Sequence, residues 1–196
     1  SRNCRKQESR KWKKLRKSQK MEKLLENKEI RLRAPEPEDL ELLYKWENDT
    51  GLWEYGNATA PYSRFSLKQY LTTSKQDIYA DRQLRLMIGL METEETIGMA
   101  DLYDFDPFHR RAGVGILIDE NRRNRGYGLQ VLLLLEEYAF GFLSLHQLYA
   151  FIPEKNCASM RLFRNAGYYP AGKLYEWLSS GDIFEDVQVW QKIKQP

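Results

Sequence analysis

The chain has 196 residues, of which 42% are hydrophobic and 30% charged, with a formal net charge of +3. That length most simply makes one domain around one core, and the composition is ordinary for a soluble globular protein. No apolar run approaches the roughly 20 residues of a membrane span, so none is expected, and no signal peptide with an apolar centre is expected either.

The charge is unevenly spread. Residues 1–20 carry ten Lys/Arg against Glu8 alone, whereas the rest sums to −6. This leader lacks a helical apolar stripe and is expected to be disordered. Met21 begins a segment that looks like a natural start, so the leader is expected to be upstream sequence, not native to the domain at 21–196. A nucleic-acid partner is not expected, since Trp12 is the leader's only aromatic. Cys4 and Cys157 have no metal or redox spacing, which suits a reducing cytoplasm. His109 and His146 are too far apart in sequence to suggest zinc, and no metal is expected.

The domain opens with Glu29–Arg33, alternating like an edge strand and stopped by Ala34-Pro35-Glu36-Pro37. Glu38–Glu47 has helical spacing through Leu40, Leu43, Tyr44 and Trp46 and ends at Asn48–Gly51. Leu52–Ser66, aromatic and broken by Pro61, is expected to be a loop, and Ser66–Ser74 a short helix. Leu84–Met91 and Thr96–Phe105 are strand-like and joined by the acidic turn Glu92–Glu95.

Arg110–Ile118 is the next strand. A polar turn and Arg123-Asn124-Arg125-Gly126-Tyr127-Gly128 follow it, then a long apolar segment from Leu129 to Phe140 with Gly141 in the C-terminal cap position. Strand, glycine loop and buried helix, in that order, aim main-chain N–H groups and a helix dipole at one spot, which suits phosphate. A dinucleotide fingerprint would need a small residue at Val131, and a Walker loop would need Gly-Lys-Ser/Thr. Neither is present.

Gln147–Ile152 reads as a further strand, Ala158–Ala166 as a short helix ending at Gly167, and Lys173–Leu178 and Ile183–Ile193 as a hairpin about Ser179–Asp182. The order of elements gives a mixed α+β domain.

R-x-x-G-x-G at Arg123–Gly128, directly after a buried strand, resembles the acetyl-CoA pyrophosphate loop of the GNAT acetyltransferase superfamily. N-x-x-S-x-x-L-F-x-x-x-G at Asn156–Gly167 resembles the coenzyme-A arm motif of the same superfamily. Ile30–Arg33 with Glu38-Asp39-Leu40, and Phe108–Ala112, resemble the branch that holds ribosomal-protein N-terminal acetyltransferases and bacterial spermidine/spermine acetyltransferases.

The resemblance covers residues 30–193. It implies a GNAT (acyl-CoA N-acyltransferase) fold, a mixed central sheet flanked by helices, with acetyl-CoA as co-substrate and direct transfer to a primary amine in a ternary complex. Main-chain groups of Ile116, Leu117 and Ile118 would bind pantetheine and polarise the thioester. Arg123, Arg125 and the amides through Gly126, Tyr127 and Gly128 would hold the pyrophosphate, with Asn124 an auxiliary contact or a helix cap. Asn156 and Ser159 would contact the arm or the departing sulfur.

The acceptor amine must lose a proton before attack. Asp101 is the candidate base, with Asp104 nearby in sequence; on a regular strand the two lie on opposite faces, so only one would serve. Glu47, Asp49 and Glu54, with the aromatic loop Leu52–Phe65, would attract a cationic acceptor, or Trp46, Trp53 and Tyr55 would merely cap the core. Two positions depart from the pattern. The tyrosine that protonates the leaving thiolate in family members stands where this chain has Phe163, so Ser159, water or Tyr168 must substitute or the thiolate leaves unassisted. The polyamine branch also has an acidic residue where this chain has Gly113.

The expectation is therefore a polyamine-type amine acceptor, with a protein N-terminus or an aminoglycoside as alternatives. A non-catalytic acyl-CoA-binding module is the alternative of another class. The C-terminal strands offer edges for a homodimer or higher homo-oligomer.

Overall fold

The computed structural model describes residues 24–53 and 60–195. The basic leader, Glu54 and Tyr55 lie outside the described residues.

Seven strands form one mixed sheet: β1 (Ile30–Arg33), β2 (Leu84–Leu90), β3 (Thr96–Asp106), β4 (Arg111–Ile118), β5 (Gln147–Pro153), β6 (Tyr169–Ser180) and β7 (Ile183–Ile193). Their spatial order is β1-β2-β3-β4-β5-β7-β6. Neighbours are antiparallel except β4 and β5, which run parallel and need a crossover helix between them. That helix is α3 (Tyr127–Glu136). The others are α1 (Leu40–Glu47), α2 (Arg64–Thr73) and α4 (Cys157–Asn165), with single turns at Thr50–Trp53 and Ile78–Asp81.

Period-2 alternation sends side chains to two separate cores. On one face Leu86, Ile88, Ala100, Leu102, Val114, Leu148 and Ile152 pack with Val131, Leu132 and Leu135 of α3 and Phe163 of α4. On the other, Met87 and Met99 pack with Leu43 and Trp46 of α1 and Leu67 of α2. Each face of the sheet thus carries its own pair of helices, and β4 lies between them.

The boundaries differ from expectation in physically instructive ways. α2 starts at Arg64, ahead of Ser66, because the Ser63 side chain caps it by accepting from Ser66 N–H. The helix after the glycine loop does not end at Gly141. It widens into a π turn over Glu137–Phe142, in which Leu143 N–H reaches the Tyr138 carbonyl at 3.0 Å, and Tyr138 stacks on Phe142. The left-handed residue that stops it is Ser144, with φ +57°, and the buried Leu145 follows. β6 begins four residues before Lys173, because β7 pairs with it from Tyr169 onward. β3 is irregular at its end: its register with β4 shifts between Tyr103 and Asp106, and Asp104 has φ +47°.

Candidate active site

The glycine loop is held by side chains that the sequence pattern did not single out. Asp119 caps the short 3-10 turn Glu120–Arg122 by accepting from Asn121 N–H. Its other oxygen receives Lys45 Nζ at 2.8 Å and Trp46 Nε1 at 3.1 Å, tying the loop to α1. Lys45, then Trp46 and the Asn121 amide, hold the Asp119 carboxyl well below the usual carboxylate range.

Beyond it, Asn124 (φ +60°) and Gly126 (φ +81°) are both left-handed, so the chain turns sharply before α3. The N-cap of α3 is Gly126, so the capping alternative for Asn124 falls. A Cβ on Gly126 would meet nothing within 4 Å, which leaves its backbone open to a ligand. A Cβ on Gly128 would stand 3.2 Å from Leu162, so that glycine lets α3 and α4 pack closely. Arg123 Nε donates to the Ile118 carbonyl at 2.9 Å, and the Arg125 side chain is exposed.

β4 opens away from β5. Their pairing covers only Arg111↔Gln147, Ala112↔Leu148 and Gly113↔Tyr149. Asp119 N–H bonds the Ile97 carbonyl of β3's leading residues. By ladder alternation the Leu117 amide therefore also faces β3, while the main-chain groups of Ile116 and Ile118 face the gap. Of the three residues expected to meet pantetheine, those two present their amides there. Across the gap, Asn156 caps α4, its Oδ1 accepting Ser159 N–H at 3.0 Å and its amide nitrogen remaining for other partners. Ser159 is half-buried in the first turn of α4. The open backbone at Gly126, the inward amides of β4 and this cap fit an extended phosphate-bearing arm.

Phe163 packs edge-on against Tyr168 with ring centroids 5.0 Å apart, inside the main core. Tyr168 is itself buried beside Glu136 and Lys192. Burial, and then the nearby Glu136, push its hydroxyl well above the ordinary tyrosine range. Lys192 Nζ contacts Glu136 Oε2 at 2.5 Å.

The opposite face of the sheet gathers several predicted acceptor residues around one that was not predicted. Arg85 of β2 grips Asp101 of β3 with two hydrogen bonds of 2.8 Å, and its remaining arm meets Glu47 at the end of α1. Burial works against the Arg85 charge, but the Asp101 hydrogen bonds and both carboxylates outweigh it, and the guanidinium is held above its ordinary value. A charged residue inside the apolar run LRLMIGL was the available signal, because a half-buried cation needs a partner. Asp104 does not follow regular alternation: its left-handed backbone bends the strand, and both it and Asp101 act electrostatically on Tyr103. Asp49 is exposed and caps its own turn through Gly51 N–H. Glu54 lies outside the described residues. Trp46 belongs to the small core, and Trp53 donates to the Glu47 carbonyl, so both cap structure.

The aromatic wall comes instead from Tyr103, Tyr149 and Phe151, in edge-to-face contact at 6.1 and 5.5 Å. Tyr103 lies flat over β4. A Cβ on Gly113 would overlap its ring, and one on Gly115 would touch both that ring and Asp101. Glycine at position 113 is thus dictated by the tyrosine on the neighbouring strand.

Among the described residues no helix is long and apolar enough to cross a membrane. The family model for the acetyltransferase (GNAT) domain matches residues 29–169. Spermidine N(1)-acetyltransferase of Vibrio cholerae is 24% identical over 162 residues, spanning 83% of this chain and 91% of that protein. The Escherichia coli spermidine N(1)-acetyltransferase is 25% identical over 165 residues, 82% of this chain and 84% of that one. The solved structure of the Vibrio cholerae spermidine N-acetyltransferase in complex with CoA and spermine matches with a TM-score of 0.76 at 22% identity, covering 85% of this chain and 96% of that one. A dodecameric structure of spermidine N-acetyltransferase from the same organism matches at 0.71 and 23% identity, covering 85% and 95%. The expected fold class holds.

Proposed function

The chain belongs to the acetyltransferase (GNAT) family and is an acetyl-CoA-dependent N-acetyltransferase, and from that premise we propose that its acceptor is a polyamine amine. The observation that carries this reading is that the Glu47–Arg85–Asp101 cluster shares a face of the sheet with the Tyr103–Tyr149–Phe151 wall, Asp101 acting electrostatically on Tyr103, and that this wall borders the gap between β4 and β5. Carboxylates and aromatic faces together suit an alkylammonium. Glu47 and Asp101 share Arg85, leaving one net negative charge, and Asp104 adds a second at the same end of β3. The relatives named for spermidine support the same chemistry.

In this reading the Gly126–Gly128 amides, Arg123 and Arg125 hold the pyrophosphate at the N-terminus of α3, with Asn124 beside them. Ile116 and Ile118 bind the arm along β4, and Asn156 and Ser159 flank it from α4. The β4 amides polarise the thioester carbonyl, and the acceptor enters from the α1–α2 face. Asp101, directly or through water, takes the proton that an ammonium of pKa about 10 must lose before attack. The amine then displaces the thiol in a ternary complex. The exposed aromatic side chains of the β6–β7 hairpin, Tyr175, Trp177 and Phe184, give a homo-oligomer a contact surface, and one relative is dodecameric.

The test is CoA release from acetyl-CoA with spermidine as sole acceptor, followed with a thiol reagent. Release well above the no-acceptor background supports the reading. Background release, with acetyl-CoA still raising the melting temperature, overturns the polyamine acceptor and directs the search to peptide N-termini and aminoglycosides.

A further inference from the structure

One of the two departures from the family pattern, Gly113, lies directly under a residue of the neighbouring strand, Tyr103. Tyr103 leaves β3 on the acceptor face and crosses β4, its ring filling the space that any side chain at position 113 would need. Its hydroxyl reaches β5, where the Phe151 main chain forms a hydrogen bond with it. On β5 the even-numbered residues bond β7, as Lys194 N–H to the His146 carbonyl shows, so the Phe151 amide points toward β4. It does so just past the last paired residues, Gly113 and Tyr149, where the strands part. The Tyr103 hydroxyl therefore lies at the mouth of the gap.

We propose that the Tyr103 hydroxyl is a catalytic hydrogen-bond donor to the departing sulfur, replacing the tyrosine that Phe163 displaces. This rests on the reading of the β4–β5 gap as the thioester site, but not on the identity of the amine. With the Phe151 amide serving the phenolic oxygen, the hydroxyl proton is available to an acceptor in the gap.

The acceptor nitrogen forms the new C–N bond and the carbonyl π pair moves to oxygen. When that pair returns, the C–S bond breaks and its electrons stay on sulfur. The sulfur receives the Tyr103 hydrogen bond and later takes a proton from solvent, while the proton shed by the nitrogen leaves through carboxylate or water. Tyr103 stays neutral throughout. Burial, with the Tyr149 neighbour second, pushes its hydroxyl above the ordinary tyrosine range, so it remains a donor across working pH. Tyr168 does not fill this part, since its hydroxyl is buried against Glu136 in the main core.

Tyr103→Phe tests this, because it keeps the ring over Gly113 and deletes only the hydroxyl, which is the proposed donor to sulfur and the acceptor of the Phe151 amide. The first readout needs no acceptor. The thiol of bound CoA is titrated by its thiolate ultraviolet absorbance in wild type and variant. Loss of a donor to the thiolate raises that thiol pKa by about one unit. The second is kcat, with whichever amine the wild type accepts or with slow acetyl-CoA hydrolysis, expected to fall roughly 10- to 100-fold with KM for acetyl-CoA within about twofold. The melting temperature should stay within about 3 °C. An unchanged bound-thiol pKa, or a kcat within twofold of wild type, overturns the proposal. So does a loss confined to acetyl-CoA affinity, which would make Tyr103 a positioning residue only. Failure of spermidine as acceptor leaves the thiol titration intact and so is distinguishable.

Discussion

The two faces of the sheet are built by different means. On the α3–α4 face the candidate cofactor site is mostly backbone: left-handed residues at Asn124 and Gly126, the start of α3, the amides of β4 and the cap of α4. On the α1–α2 face the candidate acceptor site is mostly side chains, drawn from residues as far apart as Glu47 and Phe151, with Arg85 joining Glu47 to Asp101. A site made of backbone needs particular residues in consecutive positions. A site made of long side chains needs only that strands distant in sequence lie side by side.

Removing the central cation gives the largest effect on the comparison. Arg85→Met leaves Glu47 and Asp101 as facing carboxylates at a half-buried position, and breaking such a pair costs about 3 kcal/mol. Urea denaturation should show that loss while acetyl-CoA affinity of the folded protein stays within about twofold. A parallel loss of cofactor affinity would break the separation of the faces.

Gly128→Val works from the other side. Its new side chain meets Leu162 and pushes α3 from α4, with a stability loss of about 2 kcal/mol, as for overpacking elsewhere. Calorimetry should show weakened acetyl-CoA binding as well. Gly126→Ala is milder: the site is open, so only the left-handed backbone objects, at about 1 kcal/mol.

The smallest effect is at Asp119, which ties the glycine loop to α1. Its carboxyl is held low in the folded protein, so its stabilisation is complete above the unfolded value near 4 and is lost as pH falls below that toward the folded value. The melting-temperature difference between wild type and Asp119→Asn should be constant above about pH 5 and shrink at lower pH. A difference that grows on acidification would contradict this.

The same contrast explains what the sequence disclosed. Arg123–Gly128 and Asn156–Gly167 are contiguous, and their strand-loop-helix setting is local, so the loop, the helix after it and the short α4 were legible, whereas the capping role of Asn156 was not. The mixed sheet followed from the element order. Arg85 and Tyr103 were not legible as site residues, because their partners are set by strand register: Arg85↔Asp101 and Tyr103↔Gly113 are cross-strand pairs. Gly113, by sequence only a missing acid, becomes intelligible once the ring above it is known. Gly141 misled because a π turn carries the apolar stripe through it.

The central claim is that the amine is recognised on one face and the cofactor on the other. The most direct measurement is steady-state kinetics on Glu47→Gln/Asp101→Asn with spermidine, alongside calorimetry of acetyl-CoA binding. The account predicts a KM for spermidine raised at least tenfold, about 1.4 kcal/mol of lost recognition, with the acetyl-CoA Kd within about twofold of wild type. An unchanged KM for spermidine, or a cofactor affinity that falls in step with it, would contradict it.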